Sequence, residues 1–126
     1  MKILLFVAAG GAMGAVGRYA VMVGASQWLG VGFPYGTVII NVVGSFLLGA
    51  LIEVMALTWS ASEEMRVFLV VGVLGAFTTF SSFSMDTVVL MQRGELSLAA
   101  LYVAGSVILT VAGFFAGLVL FRLILT

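Results

Sequence analysis

The chain has no cysteine and no histidine among its 126 residues. Disulfides, thiolate nucleophiles and imidazole metal sites are thereby excluded. Charge is scarce as well: five Lys or Arg and five Asp or Glu, 8% of the sequence, with a net charge of zero. A soluble domain carries about a quarter charged residues, so this chain has too little charge to cover a water-facing surface. No ATP-binding motif is present, and nucleic acid is not an expected partner. Proline occurs once, at Pro34.

What fills the sequence instead is oil. Hydrophobic residues make up 63%, and the mean hydropathy is +1.33. A bilayer-spanning helix needs about 20 mostly apolar residues, and four such runs are readable, at about 3–24, 35–57, 67–91 and 98–124. Short polar or turn-forming segments separate them, "SQWLGVGFP", "TWSASEEMR" and "QRGELS". Pro34 sits just before the second run, where its fixed φ suits a helix start. The runs are too long and too continuous for barrel strands, which alternate polar and apolar residues. Lys2 and the apolar run after it have the look of a signal peptide, but "GGAMGAVGRYAVMVG" offers no convincing cleavage site. The expectation is a retained first helix in one all-α transmembrane domain, residues 1–126, with four spans.

So small a chain has little room to enclose a wet path, and self-association is the economical solution. Gly10 and Gly14, Ser45 and Gly49, and Gly113 and Gly117 each lie four apart, a spacing that lets backbones approach closely in lipid. Such pairs serve packing within one subunit as well as between two. Orientation signals are weak. With four spans, Lys2, Arg66 and Arg122 share one side, while Arg93 and Arg18 belong to the other. A three-to-two balance is almost no bias under the positive-inside rule, and it predicts insertion both ways, with antiparallel dimers.

The third span holds "GAFTTFSSFS", in which Thr78, Thr79, Ser81, Ser82 and Ser84 crowd seven positions beside Gly72 and Gly75. At about 100° per residue these hydroxyls point in nearly every direction. Back-bonding to the preceding turn accommodates one or two of them. Five predict a break or kink, shielded inside the protein or lining a polar path. A break leaves carbonyls and amides that hydrocarbon cannot satisfy. Free carbonyls ligate a dehydrated alkali cation, whereas amides at a helix N-terminus favour an anion. Asn41, in the second span, is either a helix–helix tether or a donor to an anion. Phe80 and Phe83, three apart, share one wall and offer positive ring edges to a small anion; packing is their alternative role. Tyr102, Ser106 and Thr110 form a hydroxyl stripe in the fourth span, and Thr37 and Asn41 a similar pair. Ordinary interhelical bonding explains both about as well as a pore lining does. Asp86, the one acid deep in a span, is either a paired structural residue or a neighbour of an anion path.

Over essentially its whole length the chain resembles the Fluc family of bacterial fluoride ion channels. The resemblance is carried by "GGAMGAVGRY", "PYGTVIINVVGSFLLG", "GVLGAFTTFSSFS" and a glycine-rich fourth span. It implies a dual-topology antiparallel homodimer in the cell membrane, with two pores, a broken third helix and passive export of fluoride. It also implies a sodium ion at the dimer centre, held by the carbonyls of Gly75 and Thr78. Phe80 and Phe83 would meet fluoride through their ring edges. Asn41, Ser81, Ser82 and Ser84 would form the polar track, with Thr37, Ser106 and Thr110 as extensions. Arg18 takes a structural or vestibular place. The family's break more often reads "GGLTTFSTFS"; here Ala76, Phe77 and Ser82 depart from it, and Asp86 stands where Glu is common. Ser82 keeps the hydroxyl, while Ala76 permits fewer backbone conformations than glycine.

Two other classes remain in view. A small proton-coupled multidrug exporter would need a carboxylate in the first span, and none is there. A scaffold protein would leave the hydroxyl and phenylalanine cluster unexplained.

Overall fold

The computed structural model describes residues 1–126, and every regular element in it is helical. Four stretches are long and apolar enough to cross a membrane: Lys2–Leu29, Tyr35–Leu57, Glu63–Gln92 and Leu96–Leu125. The first two are the single helices α1 and α2, and the last is α6. The third begins as α3 (Glu63–Arg66), widens into π turns over Val67–Leu74, and continues as α4 (Gly75–Phe77) and α5 (Ser81–Gln92).

The second span starts and stops where its hydropathy does; the others run past the expected ends. α1 continues from Gly24 to Leu29 because polar residues there stay helical, Ser26 donating to the Met22 carbonyl at 3.1 Å. Gly30 then ends it with φ at 83°, which its missing Cβ permits. The third span starts four residues early because Ser62 caps it, its hydroxyl accepting from the Met65 amide. Glu95 sits before the first turn of α6, which runs on to Leu125.

α1 lies along the π-turned segment and α4, while α2 lies along α6, which also receives α5. Glycines set both close approaches. A Cβ on Gly10 would strike the Phe68 carbonyl oxygen, and one on Gly14 that of Val73. Likewise Gly49 faces the Phe114 carbonyl and Gly117 that of Phe46. The glycines of the small-residue pairs on α1, α2 and α6 are therefore spent on packing inside the subunit. At one end of that seam Arg122 grips the buried Glu53, its Nε at 2.7 Å from Oε1 and its Nη2 at 3.3 Å from Oε2.

Only 18 of 126 residues are buried within a single chain. The large apolar side chains left outside need lipid, or another protein surface, to cover them.

Candidate functional site

Residues 78–80 of the third span are not in regular helix. α4 ends at Phe77, Thr78 is extended with φ −84° and ψ 159°, and α5 begins at Ser81. The cause lies on α2. The Asn41 amide donates to the Thr79 carbonyl at 2.9 Å and accepts from the Thr79 amide at 2.8 Å. In a continuous helix the Thr79 amide would close onto the Gly75 carbonyl; here Asn41 takes it. The Ser82 amide would close onto the Thr78 carbonyl; instead the Thr79 hydroxyl accepts it at 3.1 Å. Both side chains thus satisfy the amides and leave the carbonyls of Gly75 and Thr78 without their helical partners. A Cβ on Gly44 would meet the Thr78 methyl and the Phe77 ring, so α2 also presses against the same turn.

Beside this turn opens a cleft of about 450 Å³. Asn41 and Ser45 of α2 form one side, Ser106 and Thr110 of α6 another, and Gly75, Thr78, Thr79, Phe80 and Phe83 the third. The Ser106 hydroxyl is buried without any hydrogen-bond partner. The two phenylalanine rings stand 5.5 Å apart at 41°. Phe83 continues to Tyr102 at 5.2 Å, and Tyr102 and Phe33 meet edge to face at 5.5 Å. A column of aromatic rings thus leads from the cleft toward the α1–α2 loop, with Phe80 at its exposed end.

The residues singled out in the sequence fall into three groups. Asn41, Phe80, Phe83, Ser106, Thr110, Gly75 and Thr78 all line the cleft. Thr37 does not: its hydroxyl donates to Asp86 at 2.6 Å, beside a separate cavity of about 170 Å³ under the α1–α2 loop. Tyr102 donates to the same carboxylate oxygen at 2.9 Å, so Asp86 is a paired residue, tying α2, α5 and α6 together. Ser81, Ser82 and Ser84 are outside the lining. Ser81 lies 3.2 Å from the Thr79 hydroxyl, and Ser84 back-bonds to the Phe80 carbonyl at 3.1 Å. Thr78 back-bonds as well, to Leu74. Ser45 was legible only as a small packing residue ahead of Gly49, and its four-residue spacing from Asn41 was the signal that places it on the cleft.

Chemically, the residues around the cleft carry hydroxyls, an amide, aromatic rings and backbone carbonyls. No acid or base lines it, so it can hold and pass ions and has no group for proton-transfer catalysis.

Residues 5–118 match the CrcB-like protein family, described as Camphor Resistance (CrcB). Among curated relatives, the fluoride-specific ion channel FluC of Rhodospirillum centenum is 53% identical over 122 residues, covering 97% of each chain. The protein of the same name from Nitrobacter winogradskyi is 50% identical over 96% of each chain. That of Agrobacterium fabrum is 53% identical over 94% of this chain and 95% of its own. With four spanning helices and matches of this extent, the chain belongs to the CrcB-like family and is a multi-pass bacterial membrane protein.

Proposed function

We propose that this chain is a fluoride-selective channel that lets the anion leave the cell passively. The observation that carries the reading is the cleft itself. Asn41, Ser106 and Thr110 line it together with Phe80 and Phe83, with no formal charge among them. A buried hydroxyl lacking a partner, as at Ser106, is costly unless something else accepts from it, and a small anion is such an acceptor. Neutral donors and ring edges favour an anion without trapping it, as conduction requires. The name of the relatives, fluoride-specific ion channel, supports fluoride as that anion.

The working unit is an antiparallel homodimer with two pores, its third helices functioning as broken helices. The exposed Phe80, Ser81 and Ser84 then lie where a second copy packs, and with Ser82 they extend the polar track. Thr37, held by Asp86, belongs to the mouth of the path rather than to its middle. At the dimer centre the carbonyls of Gly75 and Thr78 would hold a sodium ion; their diverted amide partners fit them for it. When bound, that ion would neutralise the two carbonyl ends and lock the subunits together. Hydrogen fluoride crosses membranes as a neutral acid and dissociates inside, so a negative interior expels the anion through any selective path. The exporter reading gains nothing from the structure, since Glu53 is buried against Arg122 and α1 carries no acid.

The test is efflux from liposomes holding the purified protein, loaded with fluoride or with chloride and followed by ion-specific electrodes. Fast fluoride release without chloride release is expected. A folded, reconstituted protein that releases neither ion overturns the reading.

A further inference from the structure

Hydroxyls in membrane helices usually donate to the carbonyl four residues back. Ser26, Thr58, Thr78, Ser84 and Thr87 all do so here. Ser45 does not, although the Asn41 carbonyl is within its reach in the helix, and its half-buried side chain lies on the cleft instead. Its neighbours fix where it stands. Gly44 on one side packs against Phe77 and Thr78, and Phe46 on the other packs against Gly117. Ser45 therefore occupies the groove between the third span and α6, about 40° round from Asn41 and one turn further along α2. α2 and α6 run in the same direction, Val42 beside Gly113 and Phe46 beside Gly117. Ser45 thus lies beyond the level of Asn41 and Thr110, toward the Leu57 end of α2.

We propose that Ser45 is an anion donor, the next ligand after Asn41 on the way toward the α2 C-terminal end. The assignment rests on the channel reading above. Two facts favour it over mere packing. The hydroxyl is left free where a back-bond was available, and the same cleft holds the buried, unpartnered Ser106 hydroxyl. The Asn41 side chain alone cannot serve the whole groove, because one of its two N–H groups and its oxygen are already committed to Thr79.

The experiment compares wild type, Ser45→Ala, Ser45→Thr and Phe80→Ile in fluoride-loaded liposomes. Assembly is checked by size-exclusion chromatography, and melting is followed in sodium and in a large organic cation. Ser45→Ala is expected to slow fluoride efflux about tenfold, as losing a donor to a charged group would. Assembly and the sodium dependence of melting should stay as in wild type, and Ser45→Thr should conduct normally. Wild-type flux in Ser45→Ala, with Phe80→Ile slowed, overturns the donor assignment and leaves the channel intact. No flux in wild type removes the channel reading and this one with it. Loss of the sodium dependence in Ser45→Ala overturns the assignment too, since the oxygen would then serve the cation. Should Ser45→Ala fail to assemble, Ser45→Cys, with its weak S–H donor, decides: a tenfold loss supports the assignment, and unchanged flux overturns it.

Discussion

Two polar clusters lie about one turn apart on α2 and α6, and they are built on opposite plans. In the one nearer the α1–α2 loop, Asp86 accepts from both Thr37 and Tyr102, so each hydroxyl has its acceptor. In the other, Asn41 satisfies Thr79 twice over, yet the Ser106 hydroxyl and the carbonyls of Gly75 and Thr78 are left without partners. Hydrocarbon gives nothing back for an unmet hydrogen bond. A closed cluster is therefore a fastening, whereas an open one beside a cleft is a place for a ligand. The aromatic column joins them, because Phe83 stacks on Tyr102.

The comparison breaks most severely at Asn41. Asn41→Ala would strand both the amide and the carbonyl of Thr79 inside the membrane, each worth about 1–3 kcal/mol when unpaired. A loss of about 2–6 kcal/mol of stability follows, together with the turn that the cleft depends on. Thermal unfolding in detergent and fluoride efflux should fall together. A variant that keeps its melting point would show that the two-way bridge contributes little. Next in size is Phe80→Ile, which leaves every hydrogen bond in place but removes the ring edge. Fluoride efflux should drop by about tenfold or more, the loss expected when a ligand to a charged species disappears, while the subunit still folds and assembles. Unchanged efflux would reduce Phe80 to a packing residue.

These two cases also mark what could be read from the chain alone. Apolar run length settled the four spans, because a bilayer demands it. The density of hydroxyls at Thr78–Ser84 drew attention to this stretch, since a regular helix has no use for five of them. Asn41 was readable as a tether or a donor, but not as a partner of Thr79 on both sides. That contact joins residues 38 apart, and only the packed structure brings them together. The same holds for Glu53 and Arg122, 69 apart. The π turns of Val67–Leu74 have no sequence signal of their own, as every residue there is apolar or glycine whatever the winding. Glycine spacing showed close packing, while the identity of the packed partner waited for the Gly49–Phe114 and Gly117–Phe46 contacts. Ser81, Ser82 and Ser84 were assigned to the track by the resemblance; they share their stretch of helix with Phe83, which lines the cleft, while the serines themselves lie outside the lining.

A smaller effect belongs to the closed cluster. Tyr102→Phe removes one of two donors to Asp86 and keeps the ring against Phe83 and Phe33. Stability should fall by about 1 kcal/mol, the usual net worth of one hydrogen bond, and fluoride efflux should change less than in Phe80→Ile. If efflux collapses while melting is unchanged, the Tyr102 hydroxyl serves the ion, and the closed cluster is part of the path.

The smallest effect is expected at Thr87, and it isolates the principle. Thr87 donates to the Phe83 carbonyl at 2.8 Å, a bond wholly within α5 that consumes its only proton. That carbonyl keeps a helical amide partner when the hydroxyl goes, so Thr87→Ala leaves no group stranded. Its stability should stay within about 0.5 kcal/mol of wild type, and its fluoride efflux should match. Like Ser45→Ala it removes a hydroxyl from a membrane helix, here with a methyl besides, but this hydroxyl was already engaged. Equal efflux losses in the two variants would mean that back-bonded hydroxyls also reach the ion, and the division into open and engaged donors would fail.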